Sequence, residues 1–228
     1  MKYHYDLHIH SVLSPCADDL MTPNNIFNMA KLKNLNIISI TDHNSLRQLP
    51  VISQIAQSYD MLWIPGIEIT TKENVHVLCY FRNLEKAMQF ETVIKEYRKT
   101  NNSSIQARLS DIEDYVIGTL EDVSSDPIDI TYPQLCLLLK DYDHLRFLAH
   151  LDRPKMKGLN YLDDTFINGI ELIKDDFNFI HLNNLSKFKI LFNSDAHDLM
   201  SISEPSALNI LELEKLDIDT FFMCFRHG

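Results

Sequence analysis

Asn36-Ile37-Ile38-Ser39-Ile40-Thr41-Asp42-His43 is the stretch on which the fold turns. A short run of β-branched apolar residues, too brief for a helix and not alternating, is the pattern of a strand buried on both faces in a parallel sheet. It ends in a carboxylate and an imidazole. In a barrel of alternating strands and helices, side chains at the C-terminal strand ends face the active site. Taken alone, Asp42-His43 also reads as a capped turn with an incidental histidine.

Working outward, Tyr5 to His10 alternates and reads as a first strand. Thr22 followed by Pro23 is a helix N-cap with proline at the first helical position, and Ile26, Met29, Ala30 and Lys33 continue at helical spacing to about Leu35. Leu49, Ile52, Ile55, Ala56 and Tyr59 mark a second helix. Met61 to Ile69 is a strand broken by Pro65-Gly66, Val75 to Phe81 is another, and Leu84 to about Lys99 is a helix. That order predicts a parallel sheet or barrel. Asn101 to Ile130 is polar and acidic and interrupts it, so an insertion or lid is expected at about residues 100–130, with one helix near Ile105 to Tyr115. A helix over Thr131 to Asp141 follows. Strands at Arg146 to His150, Gly169 to Ile173 and Phe188 to Asn193, and a closing helix over Leu216 to Phe225, complete a single α/β domain over residues 1–228.

The composition narrows the function classes. The chain has 228 residues, 45% of them hydrophobic, enough to bury one sizeable core. A formal net charge of −11 argues against tracking a nucleic-acid backbone with Lys and Arg, though bound cations would reverse the sign locally. Cys16, Cys79, Cys136 and Cys224 are scattered, which suits a reduced, cytoplasmic protein. No signal peptide and no bilayer-length apolar run is expected.

Histidines gather where strands end: His8, His10, His43, His76, His150 and His197. In Asp6-Leu7-His8-Ile9-His10-Ser11 the strand period of two puts Asp6, His8 and His10 on one face, where two imidazoles can converge on a cation. Glu68, between Ile67 and Ile69, would be costly to bury without a cation or partner. His76 sits near the start of its strand and fits the strand-end rule poorly. Asp195-Ala196-His197 repeats the alternation of ligand-type residues after another strand. Each piece alone also reads as a satisfied core histidine or an outward carboxylate; their repetition at one structural level does not.

These pieces, in this order, resemble the PHP (polymerase and histidinol phosphatase) family. The matching motifs are Asp6 to Ser11, Thr41-Asp42-His43-Asn44, Gly66-Ile67-Glu68, Val75-His76-Val77, Ala149-His150 and Ser194-Asp195-Ala196-His197. The resemblance implies a distorted seven-stranded β/α, TIM-like barrel and up to three divalent ions, Zn, Mn or Fe. By that resemblance His8, His10, Glu68 and Asp195 hold one ion, and Glu68 bridges to a second completed by His76 and His150. His43 and His197 hold a third with an aspartate. Many relatives place that aspartate in a Ser-Asp-Gly turn; here Ser14-Pro15-Cys16-Ala17-Asp18-Asp19 stands instead, so Asp18, with Asp19 as the alternative, is the expected ligand.

The implied activity is hydrolysis of a phosphate mono- or diester by metal-activated hydroxide. Glu68, Asp195 and His197 are the central residues, and Arg153 is expected to clamp a phosphate. The substrate class is a small phosphorylated molecule, a nucleotide or a short oligonucleotide; oligomeric state is not readable. A non-catalytic metal-binding module is the alternative. Hydrolysis at carbon is disfavoured because no strand-end lysine joins the cluster.

Overall fold

The computed structural model describes residues 1–100 and 105–226. The elements in order are β1 (Lys2–Ile9), α1 (Pro23–Leu32), β2 (Ile37–Ile40), α2 (Leu49–Ala56), β3 (Leu62–Trp63), β4 (Gly66–Thr70), β5 (His76–Phe81), α3 (Leu84–Ile94), β6 (Ala107–Ser110), β7 (Val116–Leu120), α4 (Tyr132–Leu139), β8 (His144–Leu148), β9 (Gly169–Leu172), α5 (Phe177–Leu182), β10 (Ile190–Phe192), β11 (Ile210–Glu212) and α6 (Ile218–Arg226). Thr22 caps α1 as expected, and Thr131 and Gln134 form a reciprocal capping box at the start of α4.

The strands form a mixed α/β arrangement rather than one continuous barrel. One sheet runs β11-β1-β2-β3 and a second β10-β9-β8-β5-β4. Two isolated parallel bridges join them: Ile9 with Ala196, beyond β10, and His43, beyond β2, with Glu68 of β4. These bridges place the ends of β1, β2, β4 and β10 side by side, which is where the candidate ligands sit.

The all-parallel order expected from the sequence holds for β1–β2–β3 and for β8–β9–β10, but β4–β5 and β5–β8 are antiparallel. The reason is loop length. Only residues 71–75 separate β4 from β5, far too few for the crossover that parallel neighbours need.

The interrupting segment also departs from expectation. Residues 101–104, where it begins, lie outside the described residues; beyond them stands a hairpin, β6 paired with β7, in place of the helix expected near Ile105 to Tyr115. Its turn is built by Asp111, whose Oδ1 accepts from the backbone of Glu113 (2.9 Å) and Tyr115 (3.0 Å), and by Asp114 in the left-handed region at φ 66°. Aspartate favours such turns because its short carboxylate bonds the following backbone.

Two apolar clusters hold the frame. The larger lies under α1 to α4 and includes Ile26, Phe27, Ile52, Phe90 and Leu135; the other joins Tyr5, Leu7, Leu78, Tyr80 and Phe147 to Phe221, Phe222 and Phe225 of α6. Among the described residues no helix is long and apolar enough to cross a membrane.

Candidate metal centre

The period of two along β1 aims His8 and His10 the same way, and their Nε2 atoms stand 3.1 Å apart. Two neutral imidazoles cannot both present a lone pair at that distance unless a proton or cation lies between them. Asp195 Oδ1 lies 3.3 Å from His8 Nε2 and 3.0 Å from His10 Nε2, and Glu68 Oε2 lies 3.3 Å from each. The other oxygen of Glu68, Oε1, meets His76 Nδ1 at 2.7 Å and His150 Nε2 at 2.9 Å.

Three groups result, each with its ligand atoms within 4.8 Å of one another: His8, His10, Glu68 and Asp195; Glu68, His76 and His150; and His10, His43 and His197. Glu68 belongs to two groups and His10 to two. His76, awkward at the start of its strand, falls into place because β5 runs antiparallel to β4. Its first residue therefore lies beside Thr70 at the end of β4.

Asp18 does not join these groups. It is exposed, and its Oδ1 accepts from the backbone of Leu20 at 2.8 Å, although its own N–H donates to the His197 carbonyl at 2.8 Å. Asp19 is paired with Arg108 of β6 at 2.6 Å. Both line a cavity of about 830 Å³ that opens outside His197, with Cys16, Arg108 and Thr119 among its walls. Arg153 does reach the centre: its Nη1 lies 2.7 Å from Asp195 Oδ2, and its side chain is 43% exposed.

Behind the candidate ligands stands a layer of orienting groups, and its most important member, Glu171 on β9, is not among the residues the sequence points to. Glu171 is fully buried. Its carboxylate accepts from His8 Nδ1 at 3.0 Å, from the His150 backbone N–H at 2.9 Å and from Asn193 Nδ2 at 2.7 Å. The signal was available, because Gly169-Ile170-Glu171 repeats Gly66-Ile67-Glu68. Both glycines are required by close approach: a Cβ on Gly66 would strike Ser39 Oγ, and one on Gly169 would strike the Lys189 carbonyl.

Ser14 Oγ accepts from His10 Nδ1 (3.0 Å) and from the His43 backbone (3.1 Å), and donates to Asp42 at 2.7 Å. Asp42 also accepts from the backbone and hydroxyl of Ser11. These bonds assign a tautomer in which His8 and His10 turn their Nε2 atoms inward. Asp6 points to the same side but holds the backbone of Ser194 and Ser203 instead.

The electrostatics ask for cations. Burial opposes the charged form of His8 and His10, yet Glu171, Asp195 and Glu68 outweigh it, raising His8 well above its ordinary range and His10 to about 9. Burial works to raise Glu68 and Asp195 too, but the surrounding histidines hold both well below the usual carboxylate range. Burial and the His10 charge push His197 down to about 4 and lower His43. Glu68 Oε2 and His43 Nδ1 approach to 2.9 Å without hydrogen-bond geometry, and both atoms are buried with no hydrogen-bond partner among the described residues. Such orphaned atoms in an N/O donor set fit a divalent metal ion. Backbone strain collects here as well: His150 (φ 29°), Asp195 (φ 51°) and Asn44 (φ 55°) are all left-handed. Such outliers each cost roughly 1–3 kcal/mol and cluster at functional sites.

No family model matches the chain. Two uncharacterized proteins of Methanocaldococcus jannaschii are similar over part of it. One is 32% identical over 105 residues, covering 46% of this chain and 13% of that protein; the other is 27% identical over 110 residues, covering 44% and 64%. Among solved structures, a lesion-specific endonuclease from Pyrococcus furiosus superposes over 100% of this chain and 57% of its own, with TM-score 0.71 and 22% identity. Endonuclease Q in complex with a duplex bearing an abasic lesion gives TM-score 0.69 and 21% identity, with the same coverage. A putative metal-dependent phosphoesterase from Bifidobacterium adolescentis gives TM-score 0.59 and 14% identity over 97% and 96% of the two chains. The chain thus spans little more than half the length of the two endonucleases, and it shares the fold of PHP-like phosphoesterases.

Proposed function

We propose that the chain is a metal-dependent phosphoesterase of the PHP type, acting on a phosphate mono- or diester. The observation that carries this reading is Glu68, a buried carboxylate whose two oxygens face two different sets of ligands. A shared carboxylate is how two cations are held close enough to act together on one phosphoryl group. His8, His10, Glu68 and Asp195 would hold the first ion, and Glu68, His76 and His150 the second. His10, His43 and His197 offer a third place, which Asp18 would complete by turning away from Leu20.

Bound divalent cations supply charge that lowers the pKa of water to about 7 and offsets charge developing on phosphate oxygens. The chain's own groups do the rest. Glu171 and the Ser14–Asp42 pair hold His8 and His10 in the orientation that binds. Arg153, at the rim, turns from Asp195 to a phosphate, whose oxygens match its planar fork. The hairpin β6–β7 walls the cavity outside His197 and serves as a lid over the substrate's body, within a single domain.

The endonuclease relationship supports a nucleotide or oligonucleotide substrate, and the phosphoesterase relationship a small phosphorylated metabolite. Four free cysteines support a cytoplasmic setting. The test is a panel of phosphate mono- and diesters offered to Mn- or Zn-loaded protein beside Glu68→Ala. Turnover lost in that variant supports the reading. Absence of turnover on every ester, with metal bound, would instead favour a binding module.

A further inference from the structure

At the opposite end of β8 from His150 lies another cavity, of about 320 Å³. Among the described residues it is lined by Cys136, Lys140, Tyr142, His144, Arg146, Phe166, Asn168 and Arg226, and by no carboxylate. The nearby carboxylates Asp164 and Asp143 are each bound to an arginine of the wall. His150 stands six positions beyond His144, so at about 3.3 Å per residue the cavity lies roughly 20 Å from the metal cluster.

Arg146 is the unusual member. It is 2% exposed, its Nη2 holds Asp164 at 2.7 Å, and its Nε is buried with no hydrogen-bond partner. A buried guanidinium left with an unmade bond is costly, and such a group in a native structure calls for a missing partner. Arg226 pairs with Asp143, whereas Lys140 has no ion pair among the described residues. The field of these cations is felt inside: burial first, then Arg146 and Arg226, lower the pKa of His144. Tyr142 and the 75% exposed Phe166 supply flat apolar walls.

We propose that this cavity is a second ligand site, separate from the metal centre, that takes a small oxyanion, carboxylate or phosphate, carried on a compact flat body. Lys140 and Arg226 meet the anion at the mouth and Arg146 Nε meets it inside, while the body lies between Tyr142 and Phe166. The volume suits this class, since small-ligand sites begin at about 300 Å³ and are mostly apolar with a few fixed polar groups.

The test is NMR of the intact chain, following the His144 ring and the Asn168 amide during titration with inorganic phosphate or with benzoate. These reporters are remote from the metal cluster, so phosphate bound there does not confuse the reading. Saturable shifts are expected, weakened roughly tenfold or more in Lys140→Ala and restored in Lys140→Arg, because a charge-assisted bond is lost and regained. Stronger binding of benzoate assigns a carboxylate on a ring; stronger binding of phosphate assigns a phosphate group. Shifts that rise linearly without saturating, or that are unchanged in Lys140→Ala, would overturn the proposal.

Discussion

Replacing Glu171 by Gln tests whether the layer behind the ligands sets metal affinity. The carboxylate accepts from His8 Nδ1, the His150 backbone and Asn193 Nδ2, all of them buried. Burial acts to raise the Glu171 pKa, but the His8 charge and hydrogen bond hold it below the ordinary value, so it is a full anion at neutral pH. Glutamine keeps the shape but offers one acceptor oxygen and one donor amide to those donors. At least one buried donor then faces an N–H₂ group, at a cost of about 1–3 kcal/mol. The His8 ring also loses the negative partner that raises its basicity. Both effects act on the ion that His8 helps to hold, so its dissociation constant should rise about 10- to 100-fold, as for other outer-layer partners of ligating histidines. Calorimetric Mn titration of wild type and Glu171→Gln reads this directly, with urea unfolding of the metal-free proteins as a check on the fold. An affinity within twofold of wild type, in a variant that folds normally, would refute the reasoning.

Arg153→Ala should lower kcat/KM by about 10- to 100-fold with bound metal unchanged, because a bidentate charge-assisted clamp is lost; metal analysis beside initial rates checks it. Stability of the metal-free protein should peak near pH 6.5. The His10 pKa, raised to about 9, contributes stability that is present below the unfolded value and lost as pH rises through 9. The His197 pKa, lowered to about 4, removes stability as pH falls from about 6.5 towards 4. Saturating Mn should flatten the alkaline limb, seen in thermal melts across pH 4–10, and its binding should release protons. Arg98, with its side chain 1% exposed, bonds Glu91 at 2.5 Å and the carbonyl of Asn44, the residue after His43, at 2.6 Å. Arg98→Ala should cost about 1–3 kcal/mol in urea unfolding, because the buried Asn44 carbonyl loses its donor and Glu91 keeps only Arg47 (3.2 Å) as a cationic partner.

How far the sequence carries the structure depends on what kind of signal each part leaves. The ligand-bearing strands were legible because burial on both faces writes a continuous apolar run, and a charged residue ending such a run stands out: Thr41-Asp42-His43 and Ile67-Glu68-Ile69 are examples. Their convergence followed from strand-end geometry. The antiparallel turn at β5 left only a short-loop signal, which a reading centred on alternation with helices passes over; that is why His76 looked misplaced. A hairpin, β6–β7, stands where a helix near Ile105 to Tyr115 is expected; the turn-forming Asp111 and Asp114 between two short runs are its sign in the sequence. Glu171 lies far in sequence from the candidate ligands it touches, His8 and His150, and only the repeated Gly-Ile-Glu betrays it. Asp18 depends on a loop conformation, which no periodicity encodes.

The central claim is that one buried carboxylate joins two cation sites that act together on a phosphate ester. It is tested most directly by titrating Mn into metal-free protein while following bound metal and the rate on bis(p-nitrophenyl) phosphate in the same samples. The account predicts little turnover at the first equivalent and a steep rise as the second binds, with no such rise in Glu68→Ala. Full activity without metal, or an unchanged titration in Glu68→Ala, would contradict it.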